Sequence, residues 1–396
     1  MLSEDAIENL VQPIVDRQES INSYVVRKIA KKLREIGELS PSDIEQLIRL
    51  RAFGADVRLI NAEIARLTQL QIRDIQNLIR YVAEDIYIDA KPFYDYRMLS
   101  YVPFKENTQL QKVVKSIAKI TADSYINLSN SKATGYFISG KTGHIRFTSV
   151  DNTYTTIIDK AIQANQSGID YKTAISKSLK ELTDSGMRRL YWDSGYTQRL
   201  DTAVRRNILD GIRDINQEVH NVTGEQFNAD GKELTAHAHS APDHEPFQGH
   251  QFTNEQWEKL QNNEDFEDIQ GRKFSAVERS IGVWNCRHFA YSIIIGFSKP
   301  NYTDEQLQNM IEENHRGVKI GKREYTIYEC TQLQRQLETK IRYAKEAQIT
   351  YKTAGLEDEA KLADAKVRKL INEYLYLSKT SKLIPRLEKT FVQGYK

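Results

Sequence analysis

Apolar side chains recur every three or four residues along much of the chain, a pattern that predicts long amphipathic helices. The first stripe contains Ile21, Val25, Ile29, Leu33 and Ile36. A second helical pattern runs from about Asp56 to Tyr87, and between the two, Ser40 followed by Pro41 is typical of a helix cap and first turn. These patterns predict a helical N-terminal region over residues 1–95 that packs on itself or on a partner.

The next region, residues 96–220, is also predicted to be helical, with one interruption. Its apolar positions at helical spacing are Leu110, Val113, Ile117 and Ile120 in one segment, and Leu200, Val204, Ile208, Ile212 and Ile215 in another. Residues 135–150 alternate around glycines and predict a short β-hairpin. Gly135 to Thr142 also spell a phosphate-loop pattern, but the buried strand and following helix that such a loop needs are not indicated. We therefore predict an exposed Lys141 in a hairpin, not a nucleotide site.

Glycine and proline concentrate in residues 221–330, which hold 8 of the 19 Gly and 3 of the 8 Pro. Short strand-like stretches alternate there with turns and short helices, which predicts an α+β module. Helical spacing returns in residues 331–396, first at Leu333, Leu337, Ile341 and Ala344, then at Leu362, Val367, Leu370, Ile371 and Leu375. The predicted fold is therefore mainly α with an α+β module, in which long N-terminal and C-terminal helices flank a small mixed α/β domain.

Composition narrows the class of protein further. Only 19 Gly and 8 Pro in 396 residues disfavour an all-β sandwich or Pro/Gly-rich disorder. The net charge of +2 lacks the strong basic excess of a nucleic-acid coat protein. Two segments carry opposite net charges. Residues 221–290 hold 6 basic and 12 acidic residues (−6), whereas residues 331–396 hold 14 basic and 8 acidic residues (+6). The basic tail is a candidate for contact with DNA, although a solvated helix face is the favoured interpretation.

The cysteine count and the apolar runs bear on the cellular compartment. Two cysteines, Cys286 and Cys330, make no disulfide framework and favour synthesis in a reducing cytosol. The first residues lack the basic and apolar stretches of a signal peptide. The apolar run Ile293–Ile295 is far too short to span a bilayer. We therefore expect a soluble protein with no membrane contact.

The sharpest chemical signal is a concentration of histidine and cysteine. Five of the eight histidines fall within 52 residues, namely His237, His239, His244, His250 and His288. Residues two apart share one face of a strand, so His237 with His239, and Cys286 with His288, are each predicted to present a pair of ligands. Imidazole nitrogen and thiolate sulfur suit a tetrahedral Zn²⁺ site. The preferred ligand set is His237, His244, Cys286 and His288, with His239 as a substitute.

Two other interpretations of this concentration stay open. In the first, which the sequence favours, the histidines form a polar core and hydrogen-bond to backbone carbonyls and to Asp243 or Asn285. In the second, one histidine activates water beside a metal, as in nucleases, or Cys286 acts as a nucleophile. The acidic surroundings repel phosphate, and paired carboxylates for two metals are not indicated. We therefore do not predict an enzyme.

The same residues resemble a known family. The stretch His237–Gly249 (HAHSAPDHEPFQG), followed by Ile281–His288 (IGVWNCRH), resembles the phage minor capsid protein 2 family, which looks related to the head-morphogenesis proteins of tailed bacteriophages. The usual pattern of that family is a His seven residues before Arg-Pro-x-His, then Trp-Gln-Gly, then a Gly-rich approach to Asn-Cys-Arg-His. Residues 199–206 also resemble the helix that precedes the motif. This chain departs from the pattern at Ala241, where Arg is common, and at Phe247, where Trp is common.

The resemblance implies a structural minor capsid protein of a tailed-phage head, made in the host cytoplasm and located in the virion. Such a protein binds portal or major capsid subunits and supports head assembly or genome packaging and ejection. The resemblance to the family motif implies that the binding residues are Phe247, Gln248, Gly249, Asn285 and Arg287. Phe247 would keep the aromatic packing of the family's Trp, and Gln248-Gly249 would form a turn. The alternative function is a metal-dependent hydrolase or nuclease-like effector carried in the virion.

Overall fold

Helices dominate the fold. The computed structural model describes residues 4–37, 54–130, 134–136, 146–147, 150–185, 189–191, 197–268, 270–277, 280–282 and 286–395. The helices are α1 (Glu4–Gly37), α2 (Gly54–Asp89), α3 (Lys91–Tyr96), α4 (Thr108–Asn130), α5 (Val150–Gln166), α6 (Tyr171–Ser185), α7 (Leu200–Gln226), α8 (Asn254–Gln261), α9 (Asp304–His315), α10 (Ile327–Thr353) and α11 (Glu357–Ser381). The prediction of a mainly α protein with a smaller α+β part is confirmed. In the described part of the chain, no helix has both the length and the apolar character of a membrane span.

The strands are short and pair antiparallel. They are β1 (Thr134–Tyr136), β2 (Arg146–Phe147), β3 (Arg189–Tyr191), β4 (Thr197–Arg199), β5 (Gly231–Leu234), β6 (Gln251–Thr253), β7 (Phe266–Glu267), β8 (Lys273–Phe274), β9 (Ala290–Ile293), β10 (Gly317–Ile320) and β11 (Arg323–Thr326). Within the described residues the strand orders are β2-β1-β3-β4, β6-β5-β9, β7-β8 and β10-β11. In the hairpin region Gly135 lies opposite Phe147. The predicted turn with Lys141 lies outside the described residues.

The N-terminal apolar stripes mark real helices. Ile29, Leu33 and Ile36 on α1 are at most 1% exposed. They pack in one cluster with side chains of α5 and α6, including Ile157 and Leu179. The predicted helix cap at Ser40 and Pro41 lies outside the described residues. The spacing of apolar residues therefore predicted α1 and α2 correctly, because each helix packs one apolar face against a core.

In α4 and α11 the helix was predicted correctly, and its buried face was predicted only in part: Leu110, Val367 and Leu370 are buried as members of the predicted stripes. Ile120 of α4 is 56% exposed, whereas Ala118 is buried. In α11 the predicted stripe included Leu362, which is 73% exposed, and Leu375, which is 40% exposed. The buried row of α11 is Ala360, Ala363, Val367, Leu370, Tyr374 and Leu377. Alanine and tyrosine supply part of the inward face, so a stripe chosen by the largest aliphatic side chains overlaps it only at Val367 and Leu370.

Two compact units share the chain, and each is assembled from three separate segments. The first comprises Met1–Val11, Asp74–Asp123 and Arg206–Leu333, and the second comprises Gln12–Arg73, Ser124–Arg205 and Gln334–Lys396. The α+β module lies in the first unit. The boundaries predicted from composition, near residues 95, 220 and 330, stay predictions.

A buried ionic network lies within the second unit. The Arg199 guanidinium donates to Asp201 at 2.9 Å and to Glu346 at 2.6 Å, and Arg342 donates to Asp201 at 2.6 Å. The side chains of Arg199 and Asp201 are at most 2% exposed. Charges removed from water are tolerated only when they are paired in this way, so each member holds the others in place.

An aromatic core supports the sheet of the module. Phe252 of β6 meets Phe266 and Phe274 edge-on, with ring centroids 5.6 and 5.5 Å apart, respectively. Helix α8 begins at a capping box in which Thr253 and Gln256 exchange hydrogen bonds. Phe247 and Cys286 belong to the same buried cluster, which places the recognised motif against this core.

Candidate metal centre

Two chain segments meet at one end of the three-stranded sheet. Strand β5 pairs with β9 so that Leu234 lies opposite Ala290. The segment after β5 is closed at its base, because Gly249 N–H donates to Leu234 O at 2.9 Å and Leu234 N–H donates to His250 O at 3.0 Å. The residues just before β9 therefore face this closed loop, which carries His244.

The local conformation differs from the strand that the histidine spacing predicted. Strand β5 ends at Leu234, so His237 and His239 lie in the irregular segment that follows it. His239 has a positive φ of 60° and lies in a turn. Cys286 and His288 lie in the irregular segment before β9 begins at Ala290. Irregular segments, not strand alternation, therefore bring the ligand candidates together.

Three of the four predicted ligands converge. The Cys286 sulfur lies 3.5 Å from Nδ1 of His244 and 3.4 Å from Nδ1 of His288. One ligand atom from each residue lies within 4.8 Å of the others. The residues are also buried, with exposures of 1% for His244, 6% for Cys286 and 2% for His288.

These distances match a tetrahedral metal geometry. Bonds of about 2.3 Å to sulfur and about 2.0 Å to nitrogen, at a tetrahedral angle, put the two ligand atoms about 3.5 Å apart. Both sulfur–nitrogen distances agree with this value. They also agree with thiol hydrogen bonds, so the distances alone fit the metal interpretation and the polar-core interpretation.

Oxygen atoms face the outer nitrogen of both imidazoles. Nε2 of His244 lies 3.5 Å from Oδ2 of Asp243, and Nε2 of His288 lies 3.4 Å from Oε1 of Gln248. Metal-binding histidines characteristically donate their second ring N–H to a carboxylate, a carbonyl or water. Gln248 was predicted as a binding residue through its motif alone, and this contact gives it a physical part in the site.

The surroundings of Cys286 lower the pKa of its thiol. Burial by itself raises the pKa of the thiol, but the hydrogen bonds with His244 and with the Gly282 backbone outweigh it, so the pKa lies below its usual value. A thiolate is the form of cysteine that binds metal. Cys330 contrasts with it, because burial and the charge of Glu329 raise the pKa of that thiol.

The remaining histidines lie around the group. The His237 ring stacks on His288 with centroids 4.4 Å apart, yet it is not one of the three converging ligands. Its place as a fourth ligand stays a prediction, and His239, the predicted substitute, does not join the group either. His250 packs against Phe274 at 5.6 Å, and burial, with Arg272 nearby, lowers the pKa of His250 to about 4.

The other motif residues have separate structural positions. Phe247 is 4% exposed and packs 5.5 Å from Phe274. Gly249 has a φ of +74°, which strains any other residue, and a Cβ added there would also push against the Leu307 side chain. Arg287 forms an ion pair with Glu8 at 3.7 Å. Asn285 lies outside the described residues.

One set of contacts that holds the loop carrying His244 was not predicted from the sequence. Glu245 is 5% exposed and accepts from His315 of α9 at 2.7 Å, and Asn314 donates both to Glu245 and to Ser240 O. The only signal in the sequence was that Glu245 directly follows His244. These contacts hold the ligand-bearing loop against α9.

Comparison with known proteins identifies the family of the chain. The family model for Phage minor capsid protein 2 matches residues 2–374, almost the whole chain. A search of the curated proteins and a search of the solved structures each return no match. The chain therefore belongs to the phage minor capsid protein 2 family, which makes it a phage minor capsid protein and implies a location in the virion.

Proposed function

We propose that this chain is a structural component of the phage head that acts through contacts with portal or major capsid subunits, and that it is not an enzyme. The observation that carries the proposal is the family match over residues 2–374, which includes the helices as well as the module. Burial of His244, Cys286 and His288 supports a structural part for the motif, since a substrate needs an open ligand position.

Ion pairing along α11 makes DNA the weaker candidate partner. Along α11 three cations already have acidic neighbours, in the pairs Lys361–Asp358, Arg368–Asp364 and Lys369–Glu373. Such pairing reduces the charge available to phosphates. Contact between DNA and the basic tail therefore remains the weaker prediction.

Co-purification tests the partner assignment. The full chain is co-expressed with the portal protein of its phage, and separately with the major capsid protein, with an unrelated host protein as the control. We expect a complex with the portal or the capsid subunit that withstands purification. Absence of both complexes would contradict the proposal. DNA binding is measured in the same preparation, where true phosphate contact must weaken steeply as salt is added.

We further propose that His244, Cys286 and His288 hold a structural Zn²⁺, with His237 as the candidate fourth ligand. The three groups lie close enough for one cation to engage the Cys286 sulfur and both facing Nδ1 atoms at once. The donor set of two imidazoles and one thiolate suits Zn²⁺. The ion would tie the loop after β5 to the segment before β9.

Metal analysis with a matched cysteine variant tests the zinc proposal. Wild type and Cys330→Ser should contain about one zinc ion per chain, the stoichiometry of a single four-ligand site, and Cys286→Ser should contain little. Chelation should raise hydrogen exchange in residues 231–293 before it affects the helices outside the module. A folded wild-type chain without metal would contradict the zinc site.

The alternative function is a metal-dependent hydrolase or nuclease, and one observation favours it. Only three ligands converge among the described residues, and catalytic zinc sites often have three protein ligands plus water. An activity screen on DNA and RNA with Mg²⁺, Mn²⁺ or Zn²⁺ separates the two functions. Robust activity that disappears in a folded His244→Ala variant would support the enzyme, and its absence supports the structural protein.

A further inference from the structure

Gln248 occupies a fixed position between the two segments that carry the candidate ligands. Its side chain is enclosed, with the residue only 2% exposed. Its backbone N–H donates to His244 O at 3.3 Å, and the next residue, Gly249, donates to the end of β5 at 2.9 Å. Neighbouring Phe247 is buried in the aromatic cluster. The backbone at Gln248 is therefore held from both sides.

The orientation of the Gln248 amide can be assigned from a backbone contact. The backbone N–H of His237 lies 3.2 Å from Oε1 of Gln248. A backbone N–H can only donate, so the Gln248 atom at this position must be the oxygen and not the nitrogen. This assignment does not depend on any assumption about a histidine ring.

The assigned oxygen then defines the tautomer of His288. Oε1 of Gln248 also lies 3.4 Å from Nε2 of His288. An amide oxygen accepts but does not donate, so Nε2 must carry the hydrogen, and the lone pair of the neutral ring is on Nδ1. Nδ1 is the atom that lies 3.4 Å from the Cys286 sulfur. The contact with Gln248 therefore points the lone pair of His288 at the Cys286 sulfur.

We infer that Gln248 is a positioning residue of the proposed metal centre, which selects the Nε2–H tautomer of His288 and presents Nδ1 to the metal. The inference rests on the zinc centre proposed above. Asp243 stands in the corresponding place beside Nε2 of His244. Gln248 differs from it in also accepting from the His237 backbone, so one amide oxygen orients His288 and holds the chain that carries the candidate fourth ligand.

Three variants test this inference. Gln248→Leu removes the acceptor at similar size, and Gln248→Glu restores an oxygen acceptor. Gln251→Leu is the matched control, because Gln251 lies in the same module but donates to Glu233 instead of meeting a histidine. Zinc affinity is measured on the full chain by competition with a chelator. Losing such an outer contact is expected to weaken binding by about 10–100-fold in Gln248→Leu, with recovery in Gln248→Glu and no comparable loss in Gln251→Leu.

The tautomer of His288 is read separately by ¹⁵N NMR of histidine-labelled protein, before and after zinc is added. We expect the ring hydrogen of His288 on Nε2 in the wild type. In Gln248→Leu we expect a mixture of the two tautomers. Hydrogen on Nδ1 in the wild type would overturn the inference even if the leucine variant does not fold. Unchanged zinc affinity in folded Gln248→Leu would also overturn it. A wild-type chain that binds no zinc would instead overturn the centre itself, so the two failures are distinguishable.

Discussion

His220 provides a quantitative test of how burial controls stability in the module. The ring lies on α7, stacks on Phe289 at 6.2 Å and meets Tyr291 edge-on at 5.1 Å. Its Nε2 is buried without a hydrogen-bond partner among the described residues. Burial, with a smaller contribution from Lys232, lowers the pKa of His220 from 6.5 to about 3. The folded protein therefore keeps this ring neutral under conditions that protonate the unfolded chain.

The sign and size of the effect follow from proton linkage. Below pH 6.5 the unfolded state binds a proton that the folded state excludes, so stability falls as the pH falls until the folded state also titrates near pH 3. The full shift corresponds to about 5 kcal/mol, of which about 2 kcal/mol is lost between pH 7 and pH 5. His250, whose pKa burial also lowers, to about 4, contributes in the same direction.

The His220→Phe variant isolates this contribution because it keeps an aromatic ring against Phe289 and removes the titrating group. Hydrogen exchange of peptides from α7 and β5 is measured with increasing denaturant at each pH, since one transition midpoint is not adequate for a chain with two compact units. The stability lost between pH 7 and pH 5 should be about 2 kcal/mol smaller in the variant than in the wild type. Identical pH dependence in both proteins would refute the assignment of a buried neutral His220.

Two further substitutions test other parts of the structure. Gly249→Ala combines a positive φ with a clash against Leu307 and should lower the stability of the module by about 3 kcal/mol. Gly321→Ala, where φ is +62° in open space, should cost only about 1 kcal/mol, and equal effects on the hydrogen exchange of peptides from the module would contradict this explanation. Arg199→Met leaves Asp201 and Glu346 without their shared cation and should cost about 3–5 kcal/mol in the second unit. The exposed pair of Arg66 with Glu63 is the comparison, and loss of Arg66 should give no measurable change in denaturant unfolding.

The helices could be predicted from sequence, but their inward faces could not always be. In α1 the aliphatic residues Ile29, Leu33 and Ile36 are themselves the core, so the pattern gave both the helix and its buried side. In α11 the inward face includes Ala360, Ala363 and Tyr374, which a search for large aliphatic side chains passes over. Nor does local pattern reveal that each compact unit draws on three separate segments.

The candidate site was predictable in its ligands and not in its supports. His244, Cys286 and His288 were chosen from residue type and clustering, and the structure places them together. The expected strand geometry was wrong, because irregular segments after β5 and before β9 bring the residues together instead. Glu245 and the two-sided contact of Gln248 depend on residues distant in sequence, such as His315 and His288, which spacing alone does not indicate.

The central claim is that the chain is a structural part of the phage head, and mass spectrometry of purified proheads and virions tests it most directly. We expect peptides from the N-terminal helices, the module and α11 in these particles, in a fixed ratio to the portal protein and far below the major capsid protein. Particles made by a phage without this gene serve as the control. Absence of the chain from both proheads and virions of the intact phage would contradict the account.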